Sequence, residues 1–104
     1  MSLRQLVRPK ALEDITAHAL YISVDSQDEA ERFLTDTGSS LRALAETPEI
    51  GSPSEFRSSA LAGMRVWPIR DHPKHLLFYI PHADSLEIVR VLHTSRDHPT
   101  VLGG

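Results

Sequence analysis

Apolar residues recur at helical spacing in the first half of the chain, and a strand-rich half follows. Between residues 11 and 24 the apolar positions fall three or four residues apart, at Leu12, Ile15, Ala19 and Ile22. This spacing predicts a helix with one buried face. A second helical period follows Ser26, at Ala30, Phe33, Leu34, Thr37, Leu41, Leu44 and Ala45.

Start and stop signals set the bounds of these helices. Leu3–Arg8 predicts a short strand that ends at Pro9, since proline lacks the N–H that a strand ladder needs. Glu13 and Asp14 are expected near the start of the first helix, where the helix dipole favours acidic side chains. Ser26 to Glu29 has the S-x-x-E form of a capping box, and Pro48 ends the second helix. The two helices are expected to pair as a hairpin joined near Asp25.

The second half of the chain predicts a loop followed by strands. Thr47–Gly63 is rich in proline, glycine and serine, which is loop chemistry. Three strands and two turns follow: Met64–Ile69, Asp71–Lys74, His75–Ile80, His82–Ser85 and Leu86–His93. Pro68 indicates that the first of these strands lies or ends at a sheet edge. Leu86–His93 is apolar on both alternating faces, as expected of a central strand.

This order predicts one α+β domain over residues 1–104: an N-terminal strand, a two-helix hairpin, then a three-stranded antiparallel meander. A chain of 104 residues is the usual size of one domain. It has no cysteine, which excludes disulfides, thiolate metal sites and cysteine nucleophiles. His72, His75 and His82 fall in or beside predicted turns, and zinc usually requires four ordered ligands. No metal and no cofactor are therefore expected.

The charge balance favours a protein partner over a nucleic acid. Eleven basic and fourteen acidic side chains give a net charge of −3. Non-specific nucleic-acid affinity comes mostly from basic contacts to phosphate, so direct sequence-specific nucleic-acid binding is not expected. No apolar run approaches the roughly 20 residues that span a bilayer, and no signal-peptide core is present. We expect a cytoplasmic protein with no membrane partner.

Five segments together match a family pattern. In their order and spacing they resemble the ParE branch of the RelE/ParE superfamily of type II toxins, over roughly residues 4 to 98. The run I-V-R-V-L-H-x-x-R-D is the most specific part of the match. The segments are Pro48–Gly51, Arg65–Ile69, His75–Tyr79, Glu87–His93 and Ser95–Asp97.

The resemblance implies a small bacterial toxin that is neutralised by an antitoxin encoded beside it, in a system of the kind linked to plasmid stabilization. ParE-like members inhibit DNA gyrase by trapping its cleaved complex with DNA. The alternative is a RelE-like, ribosome-dependent endoribonuclease that cuts messenger RNA. Both activities occur on one fold, so the fold does not decide between them. A degenerate member kept only for antitoxin binding is a third possibility.

A nuclease needs cations and a proton-transfer group around the scissile phosphate. Arg65 and Arg96 match two basic positions of the RelE-like pattern, and Arg57 is the only basic residue in the preceding loop. His93 or His98 would have to serve as the base, because the C-terminal tail has no tyrosine. This incomplete set favours a binding-type inhibitor over an enzyme. If the nuclease hypothesis holds, replacing Arg65 or Arg96 with alanine should abolish cleavage.

Candidate residues for target binding lie on the meander or just beyond it: Arg65, Arg90, His93, Arg96 and Asp97. The alternative is that the arginines only pair with Asp71, Glu87 or Asp97 and order the end of the sheet. We expect the antitoxin to bind the exposed apolar flank of the helical hairpin and the meander, because Leu86–His93 has apolar residues on both faces.

Overall fold

The computed structural model describes residues 2–54 and 62–95, in which two helices pack on one face of a five-stranded sheet. Strand order is β1-β5-β4-β3-β2; β1 pairs parallel with β5, and the other neighbours are antiparallel. The predicted α+β order of strand, helical hairpin and meander is confirmed. The elements are β1 Arg4–Val7, α1 Pro9–Ser23, α2 Gln27–Glu46, β2 Ser52–Pro53, β3 Arg65–Ile69, β4 His72–Pro81 and β5 Ser85–His93.

Helix α1 begins two residues earlier than predicted. Pro9 occupies the start of the helix, a position where the missing N–H costs nothing and the fixed φ suits the helix. Glu13 and Asp14 therefore lie beyond the first turn, and the expectation that they complement the helix dipole is wrong. The cap of α2 is confirmed, since the Ser26 hydroxyl accepts the Glu29 N–H at 3.1 Å. No helix in the described residues is long and apolar enough to cross a membrane.

The main core lies between the helices and the sheet, and it differs from the predicted stripes at two leucines. Leu12 and Leu34 are 57% and 48% exposed. On α1 the buried line is Ala11, Ile15 and Ala19, because two small side chains on this line let the helix approach the sheet closely. The remaining members of this core come from α2 and the strands: Phe33, Leu41, Leu44, Ala45, Ile69, Leu77, Tyr79, Leu86, Ile88 and Val91.

Strand β5 is buried on both faces, as its sequence predicts. A second apolar cluster on the other face of the sheet contains Met64, Phe78, Ile80, Val89 and Leu92. A bulge lies in β5: Phe78 pairs with Arg90 and Tyr79 with Ile88, which leaves Val89 as the extra residue. Because of the bulge, both Ile88 and Val91 belong to the core beneath the helices. The apolar residues of β5 are thus divided between the two faces of the sheet, and antitoxin binding to the meander stays a prediction.

Two local predictions in the loop regions are corrected. The turn expected at Asp71–Lys74 is tighter, since Ile69 already pairs with His72 and only Arg70 and Asp71 form the connection. Asp71 has a φ of 63°, a conformation that aspartate tolerates better than most residues. The predicted loop also contains the short strand β2, which pairs antiparallel with the start of β3.

Candidate functional site

The described candidates for target binding do not gather at one end of the sheet. Arg65 is the first residue of β3 and His93 is the last residue of β5. Arg65 pairs with Tyr79 of β4, whereas His93 pairs with His75 of the same strand. Their partners Tyr79 and His75 lie four residues apart on β4, a distance of about 13 Å along the strand. The other two target-binding candidates, Arg96 and Asp97, lie outside the described residues, as do the nuclease candidates Arg57 and His98.

Arg90 is bound within the fold. Its Nε and Nη2 donate to the two Asp14 carboxylate oxygens at 2.6 and 2.8 Å, and the Val91 N–H donates to the same carboxylate at 3.0 Å. Both charged side chains are only 12% exposed. The hydrogen bonds that Arg90 donates to Asp14 raise the pKa of Arg90 further above its usual value. This bidentate ion pair links α1 to β5. The role of Arg90 in target binding stays a prediction.

One of the three acidic partners predicted for the arginines, Glu87, pairs with other residues in the structure. Glu87 contacts Arg8 and His82 instead of Arg90. The hydrogen bond from His82 lowers the pKa of Glu87, with Arg8 adding to the effect. The partner of Arg90 is Asp14, which lies 76 residues earlier in the sequence.

Arg65 and Tyr79 hold the turn that follows α2. Arg65 Nε donates to the Gly51 carbonyl at 2.8 Å, and its Nη2 donates to the Glu49 carbonyl at 3.0 Å. The Tyr79 hydroxyl donates to the Pro48 carbonyl at 2.7 Å and accepts the Gly51 N–H at 2.9 Å. Burial raises the pKa of Tyr79, which keeps this hydroxyl protonated and able to donate. The Tyr79 side chain is also fully buried and packs in the main core.

His93 belongs to a group of aromatic rings that we call the histidine cluster: the imidazoles of His18, His72, His75 and His93, together with the ring of Phe33. His75 is at its centre, with ring centroids 4.8 Å from His18, 5.1 Å from His93 and 4.9 Å from Phe33. The cluster brings together side chains of α1, α2, β4 and β5. In the part of the chain that the structure describes, no group of three or more His, Asp or Glu side chains is placed to hold a metal ion.

Hydrogen bonds orient three of the four imidazoles. His18 Nε2 lies 2.8 Å from the Val91 carbonyl, which can only accept, so this nitrogen carries the proton. By the same argument His72 Nε2 donates to an Asp36 carboxylate oxygen at 2.9 Å. The Ser95 N–H donates to Nδ1 of His93 at 3.1 Å, so that nitrogen bears a lone pair. Sequence reasoning missed the cluster because His18 lies on a helix far from the other three along the chain.

An apolar surface runs along the outer side of α1. Leu12 and Leu20, at 57% and 64% exposure, line a shallow groove of about 670 Å³ together with Pro9, Glu13, Thr16 and Ala17. A smaller groove of about 270 Å³ between α1 and α2 adjoins it, since Thr16 and Leu20 line both. Leu34 and Glu31 of α2 also line this second groove. We call the two together the outer groove; the signal for it in the sequence is the apolar residue Leu20, which falls outside the core stripe of α1.

Comparison with known proteins assigns the fold and the family. The family model described as "ParE toxin of type II toxin-antitoxin system, parDE" matches residues 6–98. A Sinorhizobium fredii protein named "Putative toxin Y4kP" is 32% identical over 95 residues, which cover 89% of this chain and 90% of that protein.

A solved structure titled "Chromosomal ParDE TA system from P. aeruginosa" has the same fold, with a TM-score of 0.71 at 17% identity. The match covers 88% of this chain and 96% of that one. The structural likeness and the extent of the family match agree with each other. The chain therefore belongs to the ParE toxin family of type II toxin–antitoxin systems.

Proposed function

We propose that this protein is a toxin that inhibits DNA gyrase by binding to it and that a cognate antitoxin protein neutralises it. The observation that carries the proposal is the match to the ParE toxin family over residues 6–98, almost the whole chain. In this proposal the toxin has no catalytic centre of its own, and gyrase carries out the DNA cleavage.

The positions of the described candidates support binding over messenger cleavage. A nuclease would bring cations and a base to one phosphate, because charge stabilisation and proton transfer act on the same reacting atoms. Arg65 and His93 lie at different rows of the sheet, and the Arg65 guanidinium already donates to two backbone carbonyls. The distance between Arg65 and His93 and the backbone bonds of Arg65 both disfavour joint action of these two side chains on one phosphate.

The first experiment expresses the toxin without antitoxin and measures gyrase–DNA cleavage complexes and messenger RNA cleavage in the same cells. We expect cleavage complexes to accumulate while translated messengers stay intact. The Arg65→Ala and Arg96→Ala variants serve as the nuclease control. Messenger cleavage that either variant abolishes would establish the RelE-like activity instead. Absence of both products from a stably folded chain would indicate a degenerate member kept for antitoxin binding.

We propose further that the antitoxin places an amphipathic helix in the outer groove. The groove is apolar along Leu12, Leu20 and Leu34, and the acidic side chains of Glu13 and Glu31 line it. Such a surface suits a helix whose apolar residues alternate with lysine or arginine. Antitoxin segments that are disordered when free fold on binding, so this contact must also offset the cost of ordering the segment.

Truncating the groove should weaken antitoxin binding without unfolding the toxin. Each buried leucine contributes about 1.5–3 kcal/mol to an apolar contact, so Leu12→Ala with Leu20→Ala should raise the Kd at least about a hundredfold. Titration calorimetry with the purified antitoxin measures this change. Val24→Ala is the matched control, because Val24 is an exposed residue just after α1 that lines neither groove. An unchanged Kd for the double variant, or an equal loss for the control, would place the antitoxin elsewhere.

A further inference from the structure

The histidine cluster lies where both helices meet the central strands. His18 comes from α1, Phe33 from α2, His72 and His75 from β4, and His93 from β5. All six ring contacts in the cluster are edge-to-face, with interplanar angles from 62° to 86°. Neutral imidazoles can pack in this way as ordinary aromatic rings. Imidazolium ions at the same separations would repel one another.

The central ring has no acidic partner among its contacts in the described residues. The groups that act on His75 electrostatically are His18 of α1, His93 of β5 and His72 of β4, which all oppose its protonation. Helix α2 contributes the apolar ring of Phe33, and its Asp36 carboxylate is bound to His72. Asp14 of α1, one turn before His18, is occupied by Arg90. The ring contacts of His75 in the described residues are therefore other imidazoles and the apolar ring of Phe33, and they offer a proton no anionic partner.

A proton on His93 would also change the bonding at the edge of the cluster. Nδ1 of His93 accepts the Ser95 N–H at 3.1 Å. With a proton, this nitrogen would lose that bond and would donate instead to the Ser95 hydroxyl oxygen, which lies 2.9 Å away.

We propose that the histidine cluster is a proton-sensitive latch, which stabilises the packing of α1 and α2 against β4 and β5 at neutral pH and weakens this packing on mild acidification. The latch acts on the fold itself and does not depend on the identity of the toxin's target. It gives the toxin a state, in mildly acidic surroundings, in which the helices that form the outer groove are loosened.

The direction of the effect follows from the central histidine. Burial, then the neighbouring histidines, lower the pKa of His75 from 6.5 to about 4. The unfolded chain therefore binds this proton more readily than the folded chain does. The stability that the neutral His75 ring contributes is fully present above pH 6.5 and is lost as the pH falls towards 4. Between pH 7.5 and 5.5 this one group raises the unfolding equilibrium constant about tenfold.

The test compares urea unfolding of the full chain at pH 7.5 and 5.5, a range that lies above most carboxyl titrations. The unaltered protein should show at least the tenfold rise in its unfolding constant. His75→Phe keeps an aromatic ring that cannot be charged. In this variant, the unfolding constant should rise about tenfold less between pH 7.5 and 5.5 than it does in the unaltered protein. His82→Gln is the matched control, because His82 contacts Glu87 outside the cluster and its replacement should leave the rise in place.

Two measurements on the unaltered protein keep the proposal testable if the His75→Phe variant does not fold. Imidazole NMR should show His75 titrating below about pH 5. Hydrogen-exchange protection should fall on acidification in α1 and α2 before it falls in β4 and β5. A His75 titration near 6.5, an equal pH dependence in His75→Phe, or a uniform loss of protection in all elements would each overturn the latch.

Discussion

Replacing Asp14 with alanine is expected to lower the free energy of unfolding by about 3–5 kcal/mol, the usual cost of leaving a buried charge without its partner. The Arg90 side chain is 12% exposed, and its guanidinium donates two hydrogen bonds to the Asp14 carboxylate. The same carboxylate also accepts the Val91 N–H, so the substitution removes three hydrogen bonds at the junction of α1 and β5. Equilibrium unfolding in urea, monitored by circular dichroism, measures the change.

The matched control is Glu29→Ala, which removes a second ion pair of the same kind from the surface. The Arg32 and Glu29 side chains are 68% and 46% exposed. Exposed pairs contribute about 0–1 kcal/mol, so this variant should stay close to the unaltered protein. An Asp14→Ala variant that loses no more than this control would mean that Arg90 reaches water easily. The guanidinium would then be available to a target.

Replacing Gly51 with alanine is the second change with a large expected effect, about 2–4 kcal/mol of lost stability. A Cβ at this position would lie 2.3 Å from the Tyr79 hydroxyl oxygen and 2.8 Å from the nearest ring carbon. The Tyr79 ring is fully buried and cannot swing away. Either the turn or the ring must shift, and the hydrogen bonds that the hydroxyl makes to Pro48 and Gly51 are then strained or lost.

Gly38→Ala is the control for this experiment. Gly38 lies inside α2, where an added Cβ would meet only the end of the Arg42 side chain, at 3.5 Å. Alanine is favoured over glycine in a helix interior by about 1 kcal/mol, so this substitution should stabilise the protein. The melting temperature should therefore fall in Gly51→Ala and rise in Gly38→Ala. A Gly51→Ala variant as stable as the unaltered protein would show that the turn adapts without cost.

Local signals in the sequence were enough to predict the order of the elements, apart from the short strand β2. The capping box at Ser26, the apolar period of α2 and the doubly apolar β5 each act over a few residues, and each is found where expected. The shift of the α1 stripe from Leu12 to Ala11 was missed because closeness of packing, not hydrophobicity, selected the buried line. The tight turn at Asp71 was missed because Pro73 suggests a turn, although it lies inside β4.

The site was harder to predict because its contacts join residues that are remote in sequence. No local pattern indicates that Asp14 would bind Arg90, or that His18 would contact His75. The bulge at Val89 also changes which residues of β5 face the helices, and alternation alone does not reveal it. Arg65 was correctly placed on a strand, but its bonds to the turn carbonyls depend on how that turn folds back against β3.

The parallel pairing of β1 with β5 sets the order in which the sheet can close during synthesis. Arg4 pairs with Ser85 and Val7 with Ile88, so β1 cannot pair with β5 until almost the whole chain has been synthesised. Such long-range contacts are slow to form because a large loop must close first. Helices α1 and α2 pack on β5 through the main core, so a ribosome-bound chain that lacks this strand also lacks a finished core. The nascent chain consequently stays incompletely folded until translation has passed β5.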